Sequence, residues 1–399
     1  MTGGYFSLTA GRNLEYHTER NAKEDERTVF STLEEFLQKQ VDMGVPGCEL
    51  AVCRDSEIVF HSSVGFSDYE KTTPASKQDR YLLYSCTKPM TATAAMQCLE
   101  RGLFSLDDPV AEYLPAYASA YLCKDGLRRP PKKPITIRHL LTMTAGLNYN
   151  CGTPALQDTV ARAGDFMTTR QLAEALVQDS LDFEPGSRFQ YSLCLDVLGA
   201  VIEVASGKRL ADFFRENIWR PLGMKDTCFY QPNEPQPRLV ALYCFDSEGK
   251  KLKPYTSVGV PLVFPAGVDS GGAGLVSSVS DYLKFAGALA SGEQILSKPY
   301  IDLMRTPQLD SYHPEHRFGC TGGPDYGYGF GVRTRVRSDH GVPSSLGEFG
   351  WDGAAGADVL IDPEHKLSFF YATHILNWPA MLGPLHLQIR DLLYPTLGI

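Results

Sequence analysis

The chain has 399 residues, of which 43% are hydrophobic and 21% charged, with a formal net charge of −9. That length allows a large core divided between two units, and the composition is that of an ordinary globular protein. The negative balance argues against nucleic acid and anionic membrane surfaces as partners.

No stretch has the length and apolarity of a membrane span. Met1 to Arg20 is polar and mixed, without the basic-then-apolar order of a signal peptide, so a cytoplasmic location is expected. The ten cysteines form no Cys-x-x-Cys pair and no zinc spacing with histidines. Reduced, mostly buried thiols are therefore expected, with no metal and no other cofactor.

Residues 1–26 read as a lead-in segment. Thr28 to Val41 places Val29, Phe30, Leu33, Phe36 and Leu37 at helical spacing. Cys48–Cys53 and Glu57–Gly65 read as two strands joined by a turn at Arg54-Asp55-Ser56. After a polar loop, Tyr81 to Ser85 leads into a helix with Ala92, Ala95, Met96 and Leu99 on one face, ending at Gly102. Pro89 is tolerable only in a first turn, so Ser85 lies at that helix's start.

Further helices are predicted over Thr136–Met143, Thr169–Gln178, Leu193–Ser206, Ala211–Ile218 and Ser280–Ala290. The glycine- and aromatic-rich stretch Gly319–Gly331 leads into strands. Ala357–Ile361 and Leu367–Ala372 read as a hairpin turned at Asp362–His365, and Leu382–Leu393 as a terminal helix. β character therefore sits at both ends and helices fill the middle. The fold class expected is α+β: an antiparallel β-sheet flanked by N- and C-terminal helices, with an inserted, mostly helical domain. The sheet domain takes 27–84 and 325–399, the helical domain 85–324, and the site belongs in the cleft between them.

Three segments carry matching chemistry. Ser85-Cys86-Thr87-Lys88 places an alcohol and an amine on one helical face, one turn apart. A buried lysine can take the serine's proton, and a helix N-terminus suits an oxyanion. Alone, the pair reads first as a helix cap and a solvated lysine, and only its company with the other segments points to catalysis. Cys86 is a rival nucleophile with no histidine placed locally to activate it. Tyr191, in Glu184-Pro185-Gly186-Ser187-Arg188-Phe189-Gln190-Tyr191-Ser192, is either a proton relay beside a cation or a loop anchor. Phe349-Gly350-Trp351-Asp352-Gly353-Ala354 offers either a backbone N–H to a reacting carbonyl or a plain bulge.

Together these segments resemble the serine β-lactamase and penicillin-binding-protein superfamily, in its class C, esterase-like branch. The likeness runs from about residue 45 to 375. It includes Gly102 through Val110, Ile135 through Thr142, Pro221-Leu222-Gly223-Met224, Ser270 through Ser278 and Tyr326 through Phe330. The resemblance implies that Ser85 is the acylated nucleophile, with Lys88 and Tyr191 sharing base and acid work, the first base left open between them. The N–H groups of Ser85 and Ala354 would form the oxyanion hole. The lactamases' Tyr-x-Asn ends here in Leu193, removing an amide that would grip a peptide-like acyl group. Their Lys-Thr-Gly is replaced by Trp351-Asp352-Gly353, which removes the cation for a substrate carboxylate and adds a negative charge. Leu193, Trp351, Asp352 and Gly353 are thus the expected substrate-binding residues.

The function implied is a serine hydrolase working through an acyl-enzyme, most simply a carboxylesterase on small or medium uncharged esters. The expected partner is a small-molecule ester or amide substrate. A β-lactamase or D-amino-acid peptidase, an acyltransferase, and a degenerate ligand binder are the alternatives.

Overall fold

The computed structural model describes residues 30–246, 251–255, 264–292, 294–309, 325–337, 341, 343–378 and 384–399. The predicted lead-in and the start of the Gly319–Gly331 stretch lie outside these residues.

Helix α1 (Ser31–Asp42) buries Leu33, Phe36 and Leu37, the face its spacing predicts. Strands β1 (Gly47–Arg54) and β2 (Glu57–Gly65) follow as a hairpin, with Asp55 and Ser56 at positive φ in the turn. The late strands are β3 (Tyr326–Tyr328), β4 (Arg333–Arg335), β5 (Phe349–Asp352), β6 (Asp358–Asp362) and β7 (Leu367–Thr373). They join the hairpin in one sheet of order β3-β4-β5-β6-β7-β1-β2, antiparallel throughout. Both ends of the chain build the sheet, as the α+β reading requires. The β1–β7 pairing sets Leu50 opposite Tyr371 and Ala51 opposite Phe370, so successive residues face opposite layers. On the outer face Leu50, Val52, Phe369 and Tyr371 pack with residues of α1 and of the terminal helix Pro384–Thr396.

The inner face is covered by the Val279–Ser291 helix, capped by Ser278, whose Tyr282 stacks on Phe370 at 4.2 Å. Deeper in the molecule lies α2 (Thr87–Glu100), buried from Thr87 to Cys98. A helix with no exposed stripe is a core helix, so its side chains are held by packing on every side. Another buried helix, α3 (Cys194–Ser206), packs on α2 and ends at Gly207 in the left-handed region. The middle of the chain also contributes short strands that its pattern does not announce: Tyr81–Leu82, Leu275–Ser277 and Cys228–Phe229 form one small sheet. Two- and three-residue strands are too short to show a period. Helices at Pro154–Ala163 and Lys298–Arg305 were likewise outside the sequence reading, although Thr153 and Ser297 stand at their starts.

Candidate active site

Ser85 stands in a single 3-10 turn, Tyr84–Cys86, that feeds directly into α2. Tyr84 has φ 45°, a left-handed conformation unusual for a side chain of that size, immediately before the serine. Ser85 is half-buried and Lys88, one turn on, is wholly buried. Lys88 Nζ donates to Ser85 Oγ at 3.0 Å, to Tyr149 Oη at 3.0 Å and to the Gly272 carbonyl at 2.7 Å. The amine thus has three oxygens within hydrogen-bond distance. The turn from Ser270 to Leu275 is fastened to α2 on either side of this lysine. Thr87 Oγ1 accepts from the Leu275 N–H at 3.1 Å, and Thr91 Oγ1 donates to the Gly271 carbonyl at 2.7 Å.

Tyr149 is the residue sequence reasoning missed. It sits in Asn148-Tyr149-Asn150, a loop with no periodic pattern. Its place is fixed by backbone pairing between 143–148 and 182–193. Asp182, Gly186, Gln190 and Leu193 donate their N–H groups to Gly146, Thr144, Met143 and Asn148 in turn. Gly146 must be glycine, because a Cβ there would lie 2.5 Å from the Phe183 carbonyl at φ +85°. The pairing sets Tyr149 beside Tyr191, ring centroids 5.3 Å apart. Burial pushes the Tyr149 phenol well above its ordinary range, and the neighbouring Tyr191 adds to this, so Tyr149 remains a hydrogen-bond donor.

Tyr191 reaches the lysine differently. Lys88 Nζ lies 4.8 Å from its ring centroid, while its hydroxyl accepts the Trp351 indole N–H at 3.1 Å. The rings continue as Tyr191–Trp351, 5.5 Å, then Trp351–Tyr328, 5.3 Å, and Tyr328–Phe189, 5.2 Å. An aromatic wall thus runs from Lys88 outward. Cys86, the rival nucleophile, is buried beneath it; its thiol donates to the Trp351 carbonyl at 3.4 Å, and burial pushes it well above the range in which a thiolate forms.

Strand β5 ends against the serine turn. A Cβ on Gly353 would lie 2.3 Å from the Leu83 carbonyl, so only glycine lets the strand approach. This close contact brings the Gly353-Ala354 peptide alongside the turn that carries Ser85. Leu193 is buried and lines a small hollow with Leu147, Asn148, Asn150, Thr153 and Leu176.

Asp352 departs from the expectation that it adds negative charge to the cleft. It pairs in register with Asp358, and its carboxylate meets the Arg333 guanidinium, which also reaches Asp358 at 3.3 Å. All three residues are buried. Strand alternation sends Trp351 to the inner face and Asp352 to the outer one, where its charge is compensated. Arg138 and Asp107 form an exposed pair, and His139 closes a capping box with Thr136. His374 is buried with Nδ1 2.7 Å from the Val240 carbonyl. Among the described residues there is no cluster of three or more His, Cys, Asp or Glu placed to hold a metal, and no helix long and apolar enough to cross a membrane.

The candidate site thus brings together a buried lysine, a serine at a helix start, two tyrosines and the end of strand β5. The Beta-lactamase family model matches residues 31–393, and the chain belongs to that family. It is an enzyme of the serine-hydrolase class. The chain is 32% identical over 374 residues to Esterase EstB of Burkholderia gladioli, covering 87% of this chain and 90% of that one. It is 30% identical over 315 residues to Acyltransferase calJ of Penicillium decumbens, covering 72% and 74%. The structure of EstCE1, a hydrolase with promiscuous acyltransferase activity, superposes with a TM-score of 0.78 at 30% identity over 93% of this chain and 99% of that one.

Proposed function

We propose that the chain is a carboxylesterase acting through a Ser85 acyl-enzyme on small or medium esters without negative charge. The observation that carries this is the buried Lys88 amine, in contact with both Ser85 Oγ and the Tyr149 hydroxyl. Similarity to an esterase over nine-tenths of its length supports the ester as substrate. Ser85 Oγ attacks the ester carbonyl carbon while its proton passes into the Lys88–tyrosine cluster. The N–H groups of Ser85 and Ala354 receive the negative oxygen, each such donor contributing about 3 kcal/mol of barrier lowering. The bond to the alcohol then breaks, and the alcohol leaves with the proton returned through Tyr191 or Tyr149. Water repeats the sequence on the acyl-enzyme and releases the acid.

Trp351, Leu193 and Gly353 shape the acyl side of this site. Arg333, on the neighbouring strand β4, is turned to the outer face and held by two carboxylates. This is why a substrate carboxylate finds poor recognition. The units are read as 27–84 with 325–399, and 85–324, with the site between them. The nine described cysteines are all free thiols, which fits a reducing, cytoplasmic setting.

Fluorophosphonate labelling followed by intact mass, alongside nitrophenyl acetate and butyrate turnover, tests the reading. Wild type should gain one adduct and turn over, and Ser85→Ala should do neither. An unlabelled, inactive wild type would overturn it. The similarity to an acyltransferase and to a hydrolase with promiscuous transfer favours a second outcome, acyl transfer to an added alcohol. Product formed only when that acceptor is present would make transfer the principal reaction.

A further inference from the structure

Asp196 lies in the first turn of α3, five residues after Tyr191, and is wholly buried. Nothing in the reaction as written uses it. A buried carboxylate is costly unless it is hydrogen-bonded or faces a cation. Asp196 Oδ1 accepts from Ser270 Oγ at 2.5 Å and from the Gly272 N–H at 3.1 Å. Ser270 Oγ itself accepts from the Ala273 N–H at 3.1 Å, so its own proton goes to the carboxylate. Among the described residues the second oxygen, Oδ2, has no hydrogen-bond partner. It lies against Gly272, where a Cβ would approach it to 2.3 Å. The carbonyl of the same Gly272 accepts from Lys88 Nζ at 2.7 Å. One glycine therefore bonds the carboxylate through its N–H and the lysine through its C=O.

We propose that Asp196 is a positioning residue for Lys88: it holds the Gly271–Gly272 turn that grips the amine, and its buried charge sets the pH at which the Ser85 site becomes competent. The proposal rests on the reading of Ser85 and Lys88 given above. The other titratable groups around the pair are Tyr149 and Cys151 from the 148–151 loop, Cys194 on α3, Cys86 at the start of α2, and Tyr191. Burial pushes up the Tyr149 phenol and all three thiols, Cys194 to about 12, so they stay uncharged near neutrality. Burial raises the Asp196 carboxyl above its ordinary range, against the pull of Lys88, and while it is ionised it keeps a proton in the cluster whichever of Lys88 and the tyrosines releases it.

The test is the pH profile of kcat/KM for nitrophenyl butyrate, with the pH profile of fluorophosphonate labelling as a second readout independent of the leaving group. In Asp196→Asn, which preserves shape and removes charge, the acid limb of both profiles should move down by about one pH unit. The plateau should fall about tenfold as the Gly272 grip loosens. Ser270→Ala should move the limb by less, in the same direction. A lower plateau or lower melting temperature with an unmoved acid limb would overturn the proposal, leaving Asp196 a structural residue. If Asp196→Asn does not fold, Ser270→Ala decides, and an unmoved limb there overturns it equally. Wild type that neither labels nor turns over fails the underlying reading instead, and the proposal with it.

Discussion

Trp351 and Asp352 are adjacent in β5 and meet opposite worlds. On the inner face, Trp351 joins a wall of rings and donates its indole N–H toward Lys88's neighbour Tyr191. On the outer face, Asp352 joins Arg333 and Asp358 in a buried cluster of one guanidinium and two carboxylates. Nearby, Tyr326 donates to Glu348 at 2.6 Å and Arg390 donates to Tyr326 at 3.0 Å, so the outer layer is tied by charge up to the terminal helix. On the proposed function the inner face serves the chemistry and the outer one holds the strand. A single strand can do both because its side chains alternate. The comparison predicts that damage on the two faces separates into lost activity and lost stability.

The largest effect belongs to the inner face. Ser85→Ala should lower kcat by about 10⁴-fold or more, with little change in melting temperature, as loss of an essential nucleophile does elsewhere. Phenylalanine at Tyr191 or at Tyr149 should cost about 10²- to 10⁴-fold, the usual worth of acid–base catalysis. The two single variants sharpen the assignment: the tyrosine that handles the proton loses kcat, and the one that only orients Lys88 loses less. Arg333→Met does the reverse. It leaves two buried carboxylates without their cation and should destabilise by about 3–5 kcal/mol in chemical denaturation. Activity per folded molecule should stay near wild type. Equal losses of activity and stability from Arg333→Met would break the division between faces.

The long strands of the seven-stranded sheet were legible because β-branched and aromatic runs are long enough to show a period, as in Glu57–Gly65 and Leu367–Thr373. Ser85 and Lys88 were legible because a helix fixes their relation within one turn. Tyr191 was found by motif and does line the lysine. Tyr149 was not found, since its position depends on backbone pairing between two loops some forty residues apart. Asp352 was misplaced for a simpler reason. Reading Trp351-Asp352-Gly353 as one motif put both side chains in the cleft, although a strand period of two separates them. Arg333, its partner, lies in a three-residue strand whose register no local pattern predicts.

Trp351→Phe probes the inner face more finely. It keeps a ring in the wall and deletes the N–H given to Tyr191. One neutral hydrogen bond is worth about 0.5–1.5 kcal/mol, so kcat/KM should fall by about three- to tenfold with stability nearly unchanged. An unchanged kcat/KM would mean that the Tyr191 hydroxyl needs no orientation from β5.

The smallest effect, and the subtlest, concerns protons on the outer face. Burial holds the Asp358 carboxyl well above the ordinary carboxylate range, and the facing Asp352 raises it further, against the pull of Arg333. A carboxyl raised in the folded state binds a proton there that the unfolded chain has already released. Stability is then greatest at low pH with respect to this group, and it declines as pH climbs past the unfolded value of about 4 towards the raised folded value. The limit on the slope is about 1.4 kcal/mol per pH unit for one proton. Asp358→Asn removes the titration and leaves one carboxylate for one guanidinium. Its unfolding free energy, followed in urea from pH 4 to pH 8, should decline less with pH than that of wild type. The nitrophenyl-ester activity should not follow this change, because the inner face does not carry the charge. A parallel slope in both proteins would show that Asp358 is ionised throughout, with Arg333 outweighing both burial and the neighbouring carboxylate.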